Sequence, residues 1–233
     1  MYPHKLTILL ITILVNFCFQ PTIFAQQKPP KGGRFAVVVD ERLSALRSTP
    51  DLSGVLIRRV GRGRLVAIRG SRTNFEGVVF YRVSVSTRTQ GWMQREALVS
   101  PPHRGDDARL VSLILNSVDF ERIARARIFL KFFPKSALRP QVLLLFGEAA
   151  EEAAERLTRD AARRLGALDS TYYLNYTSLD RYNRQGIRFT FDRMTKQFHY
   201  DGAAWRELIL RYPKSPEAIK AAQRVGQQST SGR

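Results

Sequence analysis

Cysteine is almost missing from this chain of 233 residues: Cys18 stands alone. A lone thiol excludes an intrachain disulfide and any zinc site built on several cysteines. Histidine is nearly as scarce, at His4, His103 and His199. A histidine-rich metal cluster therefore lacks its parts, and the Cys-His pairing of a thiol hydrolase would have to rest on Cys18, inside the N-terminal apolar run. Lysine is rare beside arginine, with eight Lys against thirty Arg. Acids are also outnumbered, since 20 Asp and Glu face 38 Lys and Arg, a formal net charge of +18. Anions are the natural partners of such a chain. Only one long apolar run is present, Leu6 to Phe19, and it is short for a membrane-spanning helix.

Lys5 precedes that run, and Thr22-Ile23-Phe24-Ala25 followed by Gln26 offers a signal-peptidase site. Together they predict a cleaved secretory leader over 1–25 and a periplasmic or extracellular protein. A retained anchor is the alternative, because Ile23 is larger than the residue usually found three before cleavage. Phe17 is bulky for the position ahead of a lipidated cysteine, which argues against lipidation at Cys18. Cleavage would remove the sole thiol but only one cation, Lys5. Residues 26–33, with Pro29, Pro30, Gly32 and Gly33, predict a flexible lead-in.

Residues 34–100 read as short strands. Arg34 to Asp40 supplies the first, and Val78, Phe80, Val83 and Val85 alternate with polar residues in another. Thr49-Pro50-Asp51, Gly61-Arg62-Gly63 and Gly70-Ser71 predict the turns between them. The order Ala45-Leu46-Arg47-Ser48-Thr49-Pro50, Val55-Leu56-Ile57, Val60-Gly61-Arg62-Gly63, Leu65-Val66-Ala67-Ile68, Tyr81-Arg82-Val83 and Gly91-Trp92-Met93, leading to Ala97-Leu98-Val99, resembles a bacterial SH3-like (SH3b) domain. The resemblance covers about a quarter of the chain. It implies a small β-barrel used for attachment, often in cell-envelope proteins and often toward peptidoglycan or its peptide stems. Arg47, Tyr81, Arg82 and Trp92 are the candidate ligand contacts in this segment. Core packing is the first reading of Trp92 and ligand contact the second. Arg34 to Val99 holds twelve Arg, no Lys and five acids, which suits an anionic ligand or, equally, a solvated cationic face.

Ser100-Pro101-Pro102-His103-Arg104-Gly105 marks an exit, read as a linker over 101–106, and beyond it the period changes. Leu110, Val111, Ile114 and Leu115, then Phe120, Ile123, Ala124 and Ile128, recur at helical spacing toward Phe133-Pro134. A long helix follows Pro140 and runs to Gly166, with Leu143, Phe146, Ala150, Ala153, Leu157, Ala161 and Leu165 on one face. Glu152 with Arg156 and Glu155 with Arg159 are acid-before-base pairs on its other face.

Phe129-Leu130-Lys131-Phe132-Phe133-Pro134-Lys135-Ser136 is echoed by Leu208-Ile209-Leu210-Arg211-Tyr212-Pro213-Lys214-Ser215, each ending one helix and capping the next. This resembles the tetratricopeptide-like helical hairpins of envelope proteins. The echoes stand 79 residues apart rather than one repeat apart, which predicts an irregular helical domain over 107–226 and a disordered tail over 227–233. Between the echoes, Ile187 to Asp192 and Gln197 to Gly202 alternate by two around Arg193-Met194-Thr195-Lys196. An inserted β-hairpin is the preferred reading, with a helix through Phe191, Met194 and Phe198 as the alternative. Tyr172, Tyr173 and Tyr176 are candidate ligand contacts, with core packing as the competing reading.

No catalytic set emerges. His103 sits in the Pro-rich exit, His199 lies between Phe198 and Tyr200, and Gly61-Arg62-Gly63 lacks the Gly-Lys-Ser/Thr ending of a phosphate loop. The expectation is therefore a multidomain chain, all-β then mainly α, that binds rather than catalyses and carries no cofactor or metal. Peptidoglycan or an envelope protein is the expected partner. Binding of an anionic polymer is the alternative, with nucleic acid less expected because export separates the protein from most of it.

Overall fold

Phe35-Ala36-Val37-Val38-Val39 has no polar residue to mark an outer face, the pattern of a strand covered on both sides. The computed structural model describes residues 34–165, 172–173 and 175–231; the expected leader and lead-in over 1–33, and Gly166, lie outside them. Strand β1 (Phe35–Val38) is indeed covered on both sides. Ala36 and Val38 belong to an apolar cluster with Leu46, Val66, Val83 and Met93. Val37 and Val39 belong to a second cluster, with Leu110, Ile114, Ile123 and Phe129 of the helices.

Strands β2 (Ala45–Arg47), β3 (Leu56–Arg59), β4 (Leu65–Thr73), β5 (Val79–Ser84), β6 (Gln90–Gln94) and β7 (Leu98–Val99) complete a seven-stranded sheet. Its order is β3-β2-β6-β5-β4-β1-β7, and every pairing is antiparallel. Gly63, at φ 79°, closes the expected turn before β4, and its N–H reaches Val38 O at 2.8 Å. Gly70-Ser71 is not a turn. It lies inside β4, where the register with β5 shifts between Ile68 and Gly70, so the glycine marks a bulge. The turn between β4 and β5 falls later, at Asn74 to Gly77, where Asn74 Oδ1 accepts the N–H groups of Glu76 and Val78.

Helices α1 (Asp106–Leu115), α2 (Asp119–Phe132) and α3 (Arg139–Leu165) follow the strands. Asp119, with φ 53°, opens α2 after the break at Asn116 to Val118. The 27 residues of α3 extend about 40 Å and pack against α2 and against three later elements. Those are β9 (Gln197–Tyr200), α5 (Ala203–Arg211) and α6 (Pro216–Ser231). Strand β8 (Phe189–Asp192) pairs with β9 around Arg193–Lys196, so the alternating runs form a hairpin. A single helical turn, α4 (Asp180–Asn183), precedes it. The described residues thus make a mixed fold of antiparallel sheet and six α-helices.

The second echo caps the helix that follows it, whereas the first forms a turn ahead of α3. Ser215 Oγ accepts the Ala218 N–H at 3.1 Å, and Ser136 Oγ accepts that of Leu138 at 3.2 Å. The two acid-before-base pairs of α3 form, at 3.8 Å for Glu152 with Arg156 and 3.7 Å for Glu155 with Arg159. Helix α6 continues to Ser231, through residues read as a tail, and its first turns are held in the core by Ala218 and Ala221. No helix among the described residues is long and apolar enough to cross a membrane.

Candidate functional site

Gly91 decides what the neighbouring tryptophan does. A Cβ built there would lie 2.7 Å from Arg47 O and 2.8 Å from Leu46 Cγ, so only glycine lets β6 approach β2 this closely. Gly91 and Met93 then face the sheet interior, where Met93 is fully buried. Strand alternation turns Trp92 to the opposite face. Trp92 is only half-buried, so the expected core tryptophan is corrected: Met93 fills the interior and the indole lies on the outer side.

The register builds a row around that indole. Trp92 stands directly opposite Arg47 on β2 and directly opposite Arg82 on β5. Residues paired this way in an antiparallel sheet share a face. Arg47, half-buried, is held by a hydrogen bond from its Nη1 to Gly54 O at 2.7 Å. Arg82 is exposed and has no hydrogen-bond or ion-pair partner among the described residues. A third guanidinium, that of Arg72 on β4, lies over the Trp92 ring with its Cζ 5.9 Å from the centroid. Phe80, next along this face of β5, is fully buried. Asp51, four residues beyond Arg47, has its carboxyl held below its usual range by hydrogen bonds from Ser53, with a smaller contribution from Arg47. An aromatic plate ringed by three arginines, two of them unpaired, can stack a flat or apolar group and pair with carboxylate or phosphate oxygens.

Tyr81 lies elsewhere. It pairs with Met93, packs against the interior cluster and lines a small cleft of ≈200 Å³ with Arg34, Ser71, Ser100 and His103. Tyr81 and Arg82 therefore serve opposite faces of β5, as alternation requires.

The three tyrosines of the helical region separate. Tyr173 is fully buried, its ring stacked on Phe191 with centroids 5.1 Å apart, which withdraws it from any ligand surface. Tyr176 is buried too, and its hydroxyl donates to Asp160 Oδ2 at 3.2 Å. That bond and the stronger one from Arg163 hold the Asp160 carboxyl below its usual range. Tyr172 alone is exposed, at the edge of a cleft of ≈450 Å³ with Arg164, Asn175 and Thr177. Core packing therefore claims Tyr173 and Tyr176: Phe191 of the β8-β9 hairpin stacks on Tyr173, and Tyr176 is buried in the same apolar cluster.

His103 Nδ1 sits 3.3 Å from Asp106 Oδ1, while His199 is exposed on β9. No three His, Cys, Asp or Glu side chains among the described residues converge as metal ligands. Sequence reasoning missed Arg72 and Arg125. Arg125 carries a legible signal, a cation inside the apolar stripe Ile123-Ala124-Arg125-Ala126. Arg72 pairs with Phe80, one step along the sheet from the Trp92 row, and only the tertiary structure brings its guanidinium over the indole. No protein-family model matches this chain, no curated protein matches it, and no solved structure matches it.

Proposed function

We propose that this chain is an exported, noncatalytic binding or adaptor protein of the cell envelope. Its sheet acts as an SH3-like barrel that recognises the carboxylate-rich peptide stems of peptidoglycan or an acidic protein partner, and its tetratricopeptide-like helices hold a second protein. One observation carries the reading: Trp92 lies on the outer face between Arg47 and Arg82, with Arg72 over its ring. A stacked aromatic with fixed cations gives both contact area and charge recognition at small entropic cost.

The test is a binding titration of the full chain with soluble peptidoglycan fragments that keep their stems. Trp92→Ala and Arg82→Glu should each weaken binding by about tenfold while thermal melts remain cooperative. Unchanged affinity in both variants would end the proposal.

A second reading has its own support. Arg58, Arg59, Arg72 and Arg82 find no carboxylate among the described residues, as expected of a surface that binds polyanions by charge alone. Such binding falls steeply with salt through counterion release, whereas a pocketed stem peptide keeps most of its affinity at moderate ionic strength.

A further inference from the structure

Strand β3 ends the sheet, so its alternate N–H and C=O groups face away from β2 with no strand to receive them among the described residues. Natural edges are usually covered or guarded by charge. This one is uncovered: Leu56 and Ile57 are 48% and 47% exposed, and Val55 beside them 73%. The β2-β3 register shifts at Ile57, a bulge that leaves this residue without a partner on β2. Leu56 stands opposite Arg47 whereas Ile57 lies toward Gly91, so an apolar side chain is open on each side of the edge. The same strand carries Arg58 and Arg59, both exposed. Arg58 Nε donates to Arg59 O at 3.5 Å and Arg59 Nη1 to Arg42 O at 3.3 Å, and neither meets a carboxylate among the described residues.

We propose that β3 receives an added strand, an extended acidic segment of a partner protein. Its backbone pairs with Leu56 to Arg59, its small apolar side chains lie beside Leu56 and Ile57, and its carboxylates lie beside Arg58 and Arg59. Charge selects this occupant over a second copy, because pairing β3 with itself would gather the arginines of both chains along one seam. The inference builds on the binding reading above. Leu56 stands opposite Arg47, so an added strand extends the row that continues to Trp92 and Arg82.

The experiment uses the full chain and a fluorescent synthetic peptide in which pairs of glutamate alternate with pairs of valine, so that both faces of the added strand carry a carboxylate and an apolar side chain. Fluorescence anisotropy measures binding, and amide hydrogen exchange follows Leu56 to Arg59. Saturable binding with slowed exchange at those amides is expected. Replacing Arg58 and Arg59 together by glutamate should weaken binding by about tenfold or more with an unchanged melt. N-methylation of alternate peptide amides on one edge should abolish binding, since it removes backbone pairing and leaves the charge intact. Binding indifferent to N-methylation, or stem-bearing wall fragments that bind while the peptide does not, would overturn strand addition and leave the Trp92 reading standing. Failure of both probes would overturn both proposals. Self-association that protects the same amides would assign the edge to a second copy and overturn this one.

Discussion

Arg125 Nη2 lies 3.1 Å from Asp40 Oδ2, joining α2 to the end of β1 through an ion pair whose arginine is only 4% exposed. The same guanidinium donates to Val39 O at 3.3 Å and to Ser117 Oγ at 2.5 Å. Burial pushes the Asp40 carboxyl up, but hydrogen bonds from Arg42 and the charges of Arg42 and Arg125 outweigh it and hold the carboxyl below its usual range. The pair thus ties the sheet to the first helices, beside the pairs Asp40 makes with Arg42 at 3.3 Å and Arg125 makes with Glu121 at 3.6 Å.

Asp40→Asn should destabilise the protein by about 1.5–3 kcal/mol, because Arg125 loses its charged hydrogen bond to Asp40 and keeps only the longer pair with Glu121 at 3.6 Å. The pH dependence follows from the lowered carboxyl. Its stabilisation is complete above the unfolded value of about 3.9 and is lost as pH falls through the folded value. Urea melts of both proteins should therefore differ widely at neutral pH and converge in acid. A gap that persists in acid would show that charge is not its cause.

Proteolysis should cut the chain within Pro102 to Gly105 without separating the pieces. Pro102, His103, Arg104 and Gly105 are exposed, whereas Ser100 and Asp106 on either side are buried and joined by the Ser100 N–H to Asp106 Oδ2 bond at 2.7 Å. Val37, Leu65 and Val99 of the strands, with Val39 just beyond β1, share an apolar cluster with the helices, so the nicked halves should co-elute on gel filtration. Separation at neutral pH and low denaturant would contradict a shared core.

Gly147→Ala should cost about 1–3 kcal/mol through overpacking. A Cβ at that position on α3 would fall 2.1 Å from Trp205 Nε1, and Trp205 is fully buried on α5. Thermal melts check the loss, and tryptophan emission checks whether the indole has moved. The exposed Gly77→Ala is a poor control because its φ of 78° adds strain of its own.

Tyr200 should be among the last tyrosines to ionise. Burial pushes its hydroxyl up to about 12, against the smaller effect of the Ala204 N–H that it accepts at 2.8 Å at the start of α5. A raised value means stability that is full below about pH 10 and lost as pH rises toward the folded value. Tyr200→Phe should cost about 1 kcal/mol at neutral pH by removing the partner of that N–H, and alkaline unfolding should shift upward. Ultraviolet titration of the phenolate band measures both.

What could be read in the sequence was what is decided within a few residues. Turn chemistry and period located β1, the β8-β9 hairpin and the start of α6 at Ser215, since caps and alternation depend only on neighbours along the chain. Gly70 shows the limit: a glycine between strand-like runs fits a turn or a bulge equally, and only pairing with β5 makes it a bulge. The candidate site lies beyond that limit. Trp92 and Met93 are adjacent and both apolar, so alternation alone does not say which is inside. The close contact of Gly91 with β2 settles it, and the same contact brings Arg47, Trp92 and Arg82 into one row from three separate strands. Arg125 and Asp40 likewise meet only because β1 is covered by helices on one face, where a buried charge must find its partner across the tertiary interface.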